Sequence, residues 1–123
     1  MLWGGGIESR DTYDGMTDFE LNKSLAKALG AYIEPPAGFA TEIVGDTLMW
    51  YGERRELYCC FPNYLEWEVL MPLVIEHKLR FTPHPNDSYE AAKYAKELCI
   101  EIVNKNPQRA LAECLLKVLE DTK

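Results

Sequence analysis

The stretch SYEAAKYAKELCIEIV (Ser88–Val103) admits two readings, and the choice between them sets how much of this chain is helix. At helical spacing Ala91, Ala95, Leu98, Cys99, Ile102 and Val103 fall on one inward side, with Asp87 or Ser88 as the cap and an end near Asn104. The closing residues LCIEIV are β-branched enough that a strand competes for them. The periodicity predicts a helix here, the third in the chain.

Its neighbours on either side are plainer. On the far side, Asn106 serves as N-cap and Pro107 as first helical residue of a last helix, with Leu111, Cys114, Leu115, Val118 and Leu119 as its inward stripe. On the near side, PHPND (Pro83–Asp87) breaks the chain after a short strand, KLRFT (Lys78–Thr82). Before that, Trp67, Leu70, Met71, Val74 and Ile75 recur at i, i+3, i+4, i+7 and i+8, a full apolar stripe. Asn63 and Glu66 have the spacing of a capping box in front of it, and Pro72 is expected to kink it.

Upstream, ATEIVGDTLMWYGERRELYCCF (Ala40–Phe61) reads as short strands turning at Gly45-Asp46 and Gly52-Glu53. Either face of that meander is apolar, since Leu48 and Trp50 oppose Met49 and Tyr51. MTDFELNKSLAKALG (Met16–Gly30) is a helix with both ends marked. Thr17 and Glu20 make a capping box, Met16 and Leu21 a hydrophobic staple, and Gly30 a left-handed stop. Residues 1–15 have no periodicity and read as a flexible N-terminal arm, and Met16, just before the first ordered signal, offers an alternative start. The expected architecture is one α+β domain over residues 16–123, with about four helices on a small antiparallel sheet of two to four strands around a single core.

Composition narrows function. The chain has 123 residues, one domain's worth, with thirteen basic against twenty acidic side chains and a net charge of -7. An acidic chain repels phosphate backbones, and its one basic pair, Arg54-Arg55, lies between Glu53 and Glu56. Direct nucleic-acid binding is not expected. The longest apolar run, Val69–Ile75, is too short to cross a bilayer, and the first residues lack a signal peptide's pattern. Cytoplasm is the default setting.

The reactive residue types fit no catalytic pattern. Neighbouring side chains of a strand point to opposite faces, so Cys59 and Cys60 diverge and neither chelate nor bridge easily. With Cys99 and Cys114 on helix stripes, all four cysteines read as reduced and structural. His77 near a helix C-terminus and His84 between prolines match no zinc spacing, so no metal and no cofactor are expected. There is no nucleophile elbow, phosphate loop or dinucleotide fingerprint. Arg109 stands out because a cation in the first turn of a helix opposes the macrodipole, so it calls for a carboxylate partner within the chain.

Three islands then fall in order: TDFELN (Thr17–Asn22), FPNYLEWEVLMPLVIEHKL (Phe61–Leu79) and NPQRALAECLL (Asn106–Leu116). Together they resemble the NinX-like small proteins of phages and prophages. The resemblance rests on Thr17, Asp18, Glu20 and Asn22; on Phe61, Asn63, Trp67 and Pro72; and on Asn106, Pro107, Arg109 and Ala110. Relatives often carry a Trp-x-Ala strand before the last helix, where this chain has Tyr89 and Ala91. The resemblance implies a prophage origin and a bacterial cytoplasmic setting, and it implies no reaction.

The leading expectation is a small, non-enzymatic accessory protein that binds a host or phage protein, with self-association open. Two other readings compete: a small enzyme with a His or carboxylate base in an aromatic cleft, and an acidic modulator that occupies a DNA-binding protein's basic groove. Asn63, Trp67, Arg109 and Trp50 are the candidate binding residues.

Overall fold

The computed structural model describes residues 15–122, and the arm expected over residues 1–15 lies outside them but for Gly15. The chain runs through helix α1 (Asp18–Leu29), strands β1 (Thr41–Val44), β2 (Thr47–Tyr51) and β3 (Leu57–Cys59), and helix α2 (Trp67–Glu76). Strands β4 (Arg80–Pro83), β5 (Tyr89–Ala95) and β6 (Leu98–Asn104) follow, and helix α3 (Pro107–Asp121) ends it. The α+β class stands. Its details differ from the expectation: three helices in place of four, and two antiparallel sheets, β1-β2-β3 and β4-β5-β6, in place of one.

The missing helix is Ser88–Val103, which folds as the β5–β6 hairpin. Ala91 pairs with Ile102 and Lys93 with Ile100, so Ala91, Ile100 and Ile102 share the buried face. Three residues that a helix would have turned inward, Ala95, Cys99 and Val103, are exposed. Ile100, Glu101 and Ile102 alternate in, out and in, a period-2 beat that suits β-branched side chains. β5 contains good helix formers, but it is the central strand, bonded to β4 on one side and β6 on the other. Pairing along both edges overrides its local preference.

Local signals set the remaining elements. Thr17 Oγ1 accepts from the Glu20 amide at 3.1 Å and Glu20 Oε1 accepts from the Thr17 amide at 2.9 Å, a reciprocal box that starts α1. Gly30, at φ 73°, ends it in the left-handed region. Gly45, at φ 61°, takes the first central position of the two-residue β1–β2 turn, where a type II′ turn needs glycine. α2 runs through Pro72, which faces solvent, so water can reach the Glu68 carbonyl that the missing N–H leaves unbonded.

α3 is the centre of the molecule. Ala110 to Leu116 are seven consecutive buried residues, more than the single stripe its spacing suggests. A helix buried all round must be covered on every side. α1, α2, β5 and β6 cover this one. One hydrophobic cluster joins Leu21 and Leu25 of α1, Phe61 and Tyr64 before α2, Leu70 and Val74 of α2, Ile100 and Ile102 of β6, and Leu111 and Leu115 of α3. The first sheet meets this cluster through Leu48 and Trp50.

Candidate functional site

Two of the four candidate residues, Asn63 and Arg109, are built into a polar junction around α1. Asn22 of α1 is fully buried and its amide is fully used. Its Nδ2 donates to Asn63 Oδ1 at 2.8 Å and to the Asp46 carbonyl at 3.1 Å, while its Oδ1 accepts from the Tyr64 amide at 3.0 Å. Asn63 Oδ1 also accepts from the Leu65 amide at 3.0 Å. Asn63 therefore shapes the turn before α2 instead of capping it; the N-cap is Glu66, whose side chain makes no capping bond.

One turn back along the same face of α1, Asp18 meets Arg109. The Arg109 Nη1 donates to Asp18 Oδ1 at 2.7 Å, its Nε to Glu113 Oε2 at 2.5 Å, and its Nη2 to the Met16 carbonyl at 2.5 Å. The side chains of Arg109 and Glu113 are 11% and 3% exposed. Burial works to lower the Arg109 pKa, and the bonds to Glu113 and Asp18 together outweigh it, so the guanidinium ends above its ordinary value. The partner that the helix position called for is present. Asn106 caps α3 by accepting from the Arg109 amide at 3.0 Å. Residues from all three sequence islands thus converge on one junction, and their contacts there are internal.

Trp50 is half-buried in an aromatic stack. Its ring lies 4.5 Å from that of Tyr58, nearly parallel, and 5.4 Å edge-on from that of Phe39. Its indole N–H is buried and has no hydrogen-bond partner among the described residues.

Trp67 is different. The stripe expected to face inward buries only Leu70 and Val74, while Trp67, Met71 and Ile75 are 41%, 37% and 70% exposed. Val69 and Leu73, half-buried, pack against the core beside Leu70 and Val74, so the inward side of α2 is turned away from Trp67, Met71 and Ile75. Residues four apart stack on one side of a helix, so Trp67, Met71 and Ile75 form a continuous apolar row on the surface. Beside it, one residue on, runs the row Glu68, Pro72 and Glu76, all exposed. No basic residue lies between Arg55 and His77 in the sequence.

The other reactive groups stay dispersed. Cys60 and Cys114 are buried and Cys59 and Cys99 exposed, so the inward placing expected for Cys99 fails with the helix that carried it. His77 ends α2, and His84 Nε2 lies 3.0 Å from Glu90 Oε1 beside an open depression lined by Asn86, Ser88 and Val103. Among the described residues no group of three or more His, Cys, Asp or Glu is placed to hold a metal ion, and no helix is long and apolar enough to cross a membrane. Local spacing could have found the exposed row only by asking which half of a wide apolar stripe the neighbours leave uncovered. No protein-family model, curated protein or solved structure matches this chain.

Proposed function

We propose that this chain is a small, prophage-derived accessory protein of the NinX-like kind, acting without catalysis in the bacterial cytoplasm by binding a host or phage protein. The observation that carries the reading is the exposed row Trp67, Met71 and Ile75 on α2. Isolated apolar side chains on a surface are ordinary, whereas a contiguous row on one rigid element is the usual form of a docking site. Trp and Met are the residue types enriched in such contacts, and Trp most often carries their energy. Of the candidate residues, Trp67 therefore takes the binding role, while Asn63 and Arg109 support the fold.

The test is affinity capture from a lysogenic host with the parent chain and with Met71→Gln/Ile75→Gln. Both substituted side chains are exposed, so the variant should keep the parent's far-ultraviolet spectrum and melting temperature. The reading expects a partner that the parent retains and the variant loses. A partner retained equally by both would remove the α2 row from the account.

A further inference from the structure

The two rows on α2 say more than that something docks there; they select the chemistry of what docks. We infer that the outer face of α2 binds a basic segment of another protein, one that presents two or more apolar side chains with Lys or Arg beside them. The inference rests on the docking role just proposed for α2 and adds the partner's charge and the exclusion of a two-fold copy.

The apolar row Trp67, Met71 and Ile75 is bordered along its whole length by Glu68 and Glu76, with Glu66 at its N-terminal end. Among the described residues Glu66 and Glu68 make no ion pair, and Glu76 meets only the imidazole of His77, at 3.8 Å. The contrast with the outer face of the second sheet is direct. There Tyr94 donates to Glu101, the Arg80 guanidinium lies 5.4 Å from the Tyr94 ring, and His84 meets Glu90. On that face each of these charged groups has a partner within the chain. The face of α2 leaves an acidic edge beside an apolar strip, and complementary potentials across an interface favour a partner of opposite sign.

The same charges argue against a two-fold copy and against residues 1–14 as the occupant. A two-fold pairing of α2 with its copy would bring the same patch against itself and set glutamates near glutamates, which costs energy when water is excluded. Residues 1–14 carry Glu8, Asp11 and Asp14 against Arg10 alone, so they share the sign of the face. Neither a two-fold copy nor residues 1–14 brings the cations that this face calls for.

The probe is a displayed library of short random peptides, selected on the immobilised full chain. Selected peptides are then labelled and titrated by fluorescence anisotropy against the parent, Met71→Gln/Ile75→Gln, Glu68→Lys/Glu76→Lys, and the control Glu97→Lys in the exposed β5–β6 turn. The expected result is enrichment of peptides with Lys or Arg flanking apolar residues at helical spacing. Their affinity should fall about tenfold or more in each double α2 variant, stay unchanged in the control, and weaken with added salt. Neutral or acidic peptides that still lose binding in Met71→Gln/Ile75→Gln would leave the docking face standing and overturn its preference for a basic partner. Peptides that bind every variant alike, or an empty selection, would overturn both. A dimer in sedimentation that the apolar double variant dissolves would make the occupant a second copy and overturn the inference.

Discussion

Arg109 is the residue whose role was most legible, because its position was locally wrong. A cation in the first turn of α3 had to be compensated, and the guanidinium finds Asp18 and Glu113 carboxylates and the Met16 carbonyl. Arg109→Ala leaves the Glu113 carboxylate buried without its cation and should cost about 3–5 kcal/mol in urea unfolding. Arg109→Lys should cost less but measurably, since an ammonium cannot reproduce bonds from three guanidinium nitrogens. The thiols divide by exposure. Cys59 and Cys99 should react at once with a thiol reagent in the native state, and Cys60 and Cys114 only after unfolding. Burial pushes the Cys114 thiol up to about 12, with Lys93 working weakly the other way. An acid raised in the folded state contributes stability that is fully present below its unfolded pKa of 9.0 and is lost as pH rises toward about 12. Cys114→Ala should therefore flatten the fall in melting temperature over that alkaline range. A slope identical to the parent's would assign the fall to other groups.

Elements were legible where their signals were local. The Thr17–Glu20 box, the Gly30 stop, the Gly45 turn and the Asn106-Pro107 start each act within a few residues, and each lies where its sequence put it. Ser88–Val103 was not legible in the same way. Its alanines suit a helix, and only β4 on one flank and β6 on the other make β5 a strand. The split into two sheets was hidden for the same reason: pairing depends on partners distant in sequence. For α2 the stripe was visible, but its depth depended on how much of it α3 could cover. Phe61 and Trp67 give the comparison that checks this depth. Phe61 is 2% exposed and packs against the Phe19 and Tyr32 rings, so Phe61→Ala should cost about 3–5 kcal/mol. Trp67→Ala should cost clearly less than Phe61→Ala, because 41% of the residue already meets water. Equal costs in chemical denaturation would mean that Trp67 is packed inward. Asn22→Ala, which strips the Tyr64 amide of its acceptor inside the protein, should cost about 2–3 kcal/mol.

At the scale of the molecule, the buried α3 ties α1, α2 and the β5–β6 hairpin to one cluster, and the polar junction locks α1 to the turns at Asp46 and Asn63. Residues of all three sequence islands meet at that junction, where internal contacts account for Asp18, Asn22, Asn63 and Arg109. Among the apolar side chains that the fold leaves at the surface, Trp67, Met71 and Ile75 form one row along α2. This row is where we propose that another protein docks, and a photo-reactive amino acid at position 75 can capture that protein in place. With Ile75→p-benzoylphenylalanine expressed in bacterial cells, irradiation should give a discrete adduct heavier than the chain, joined to a Lys- or Arg-rich segment of a different protein. The same group in place of Glu97 should give none. An adduct from position 97 and none from position 75, or an adduct only with a second copy of this chain, would rule out α2 as the docking face for a different protein.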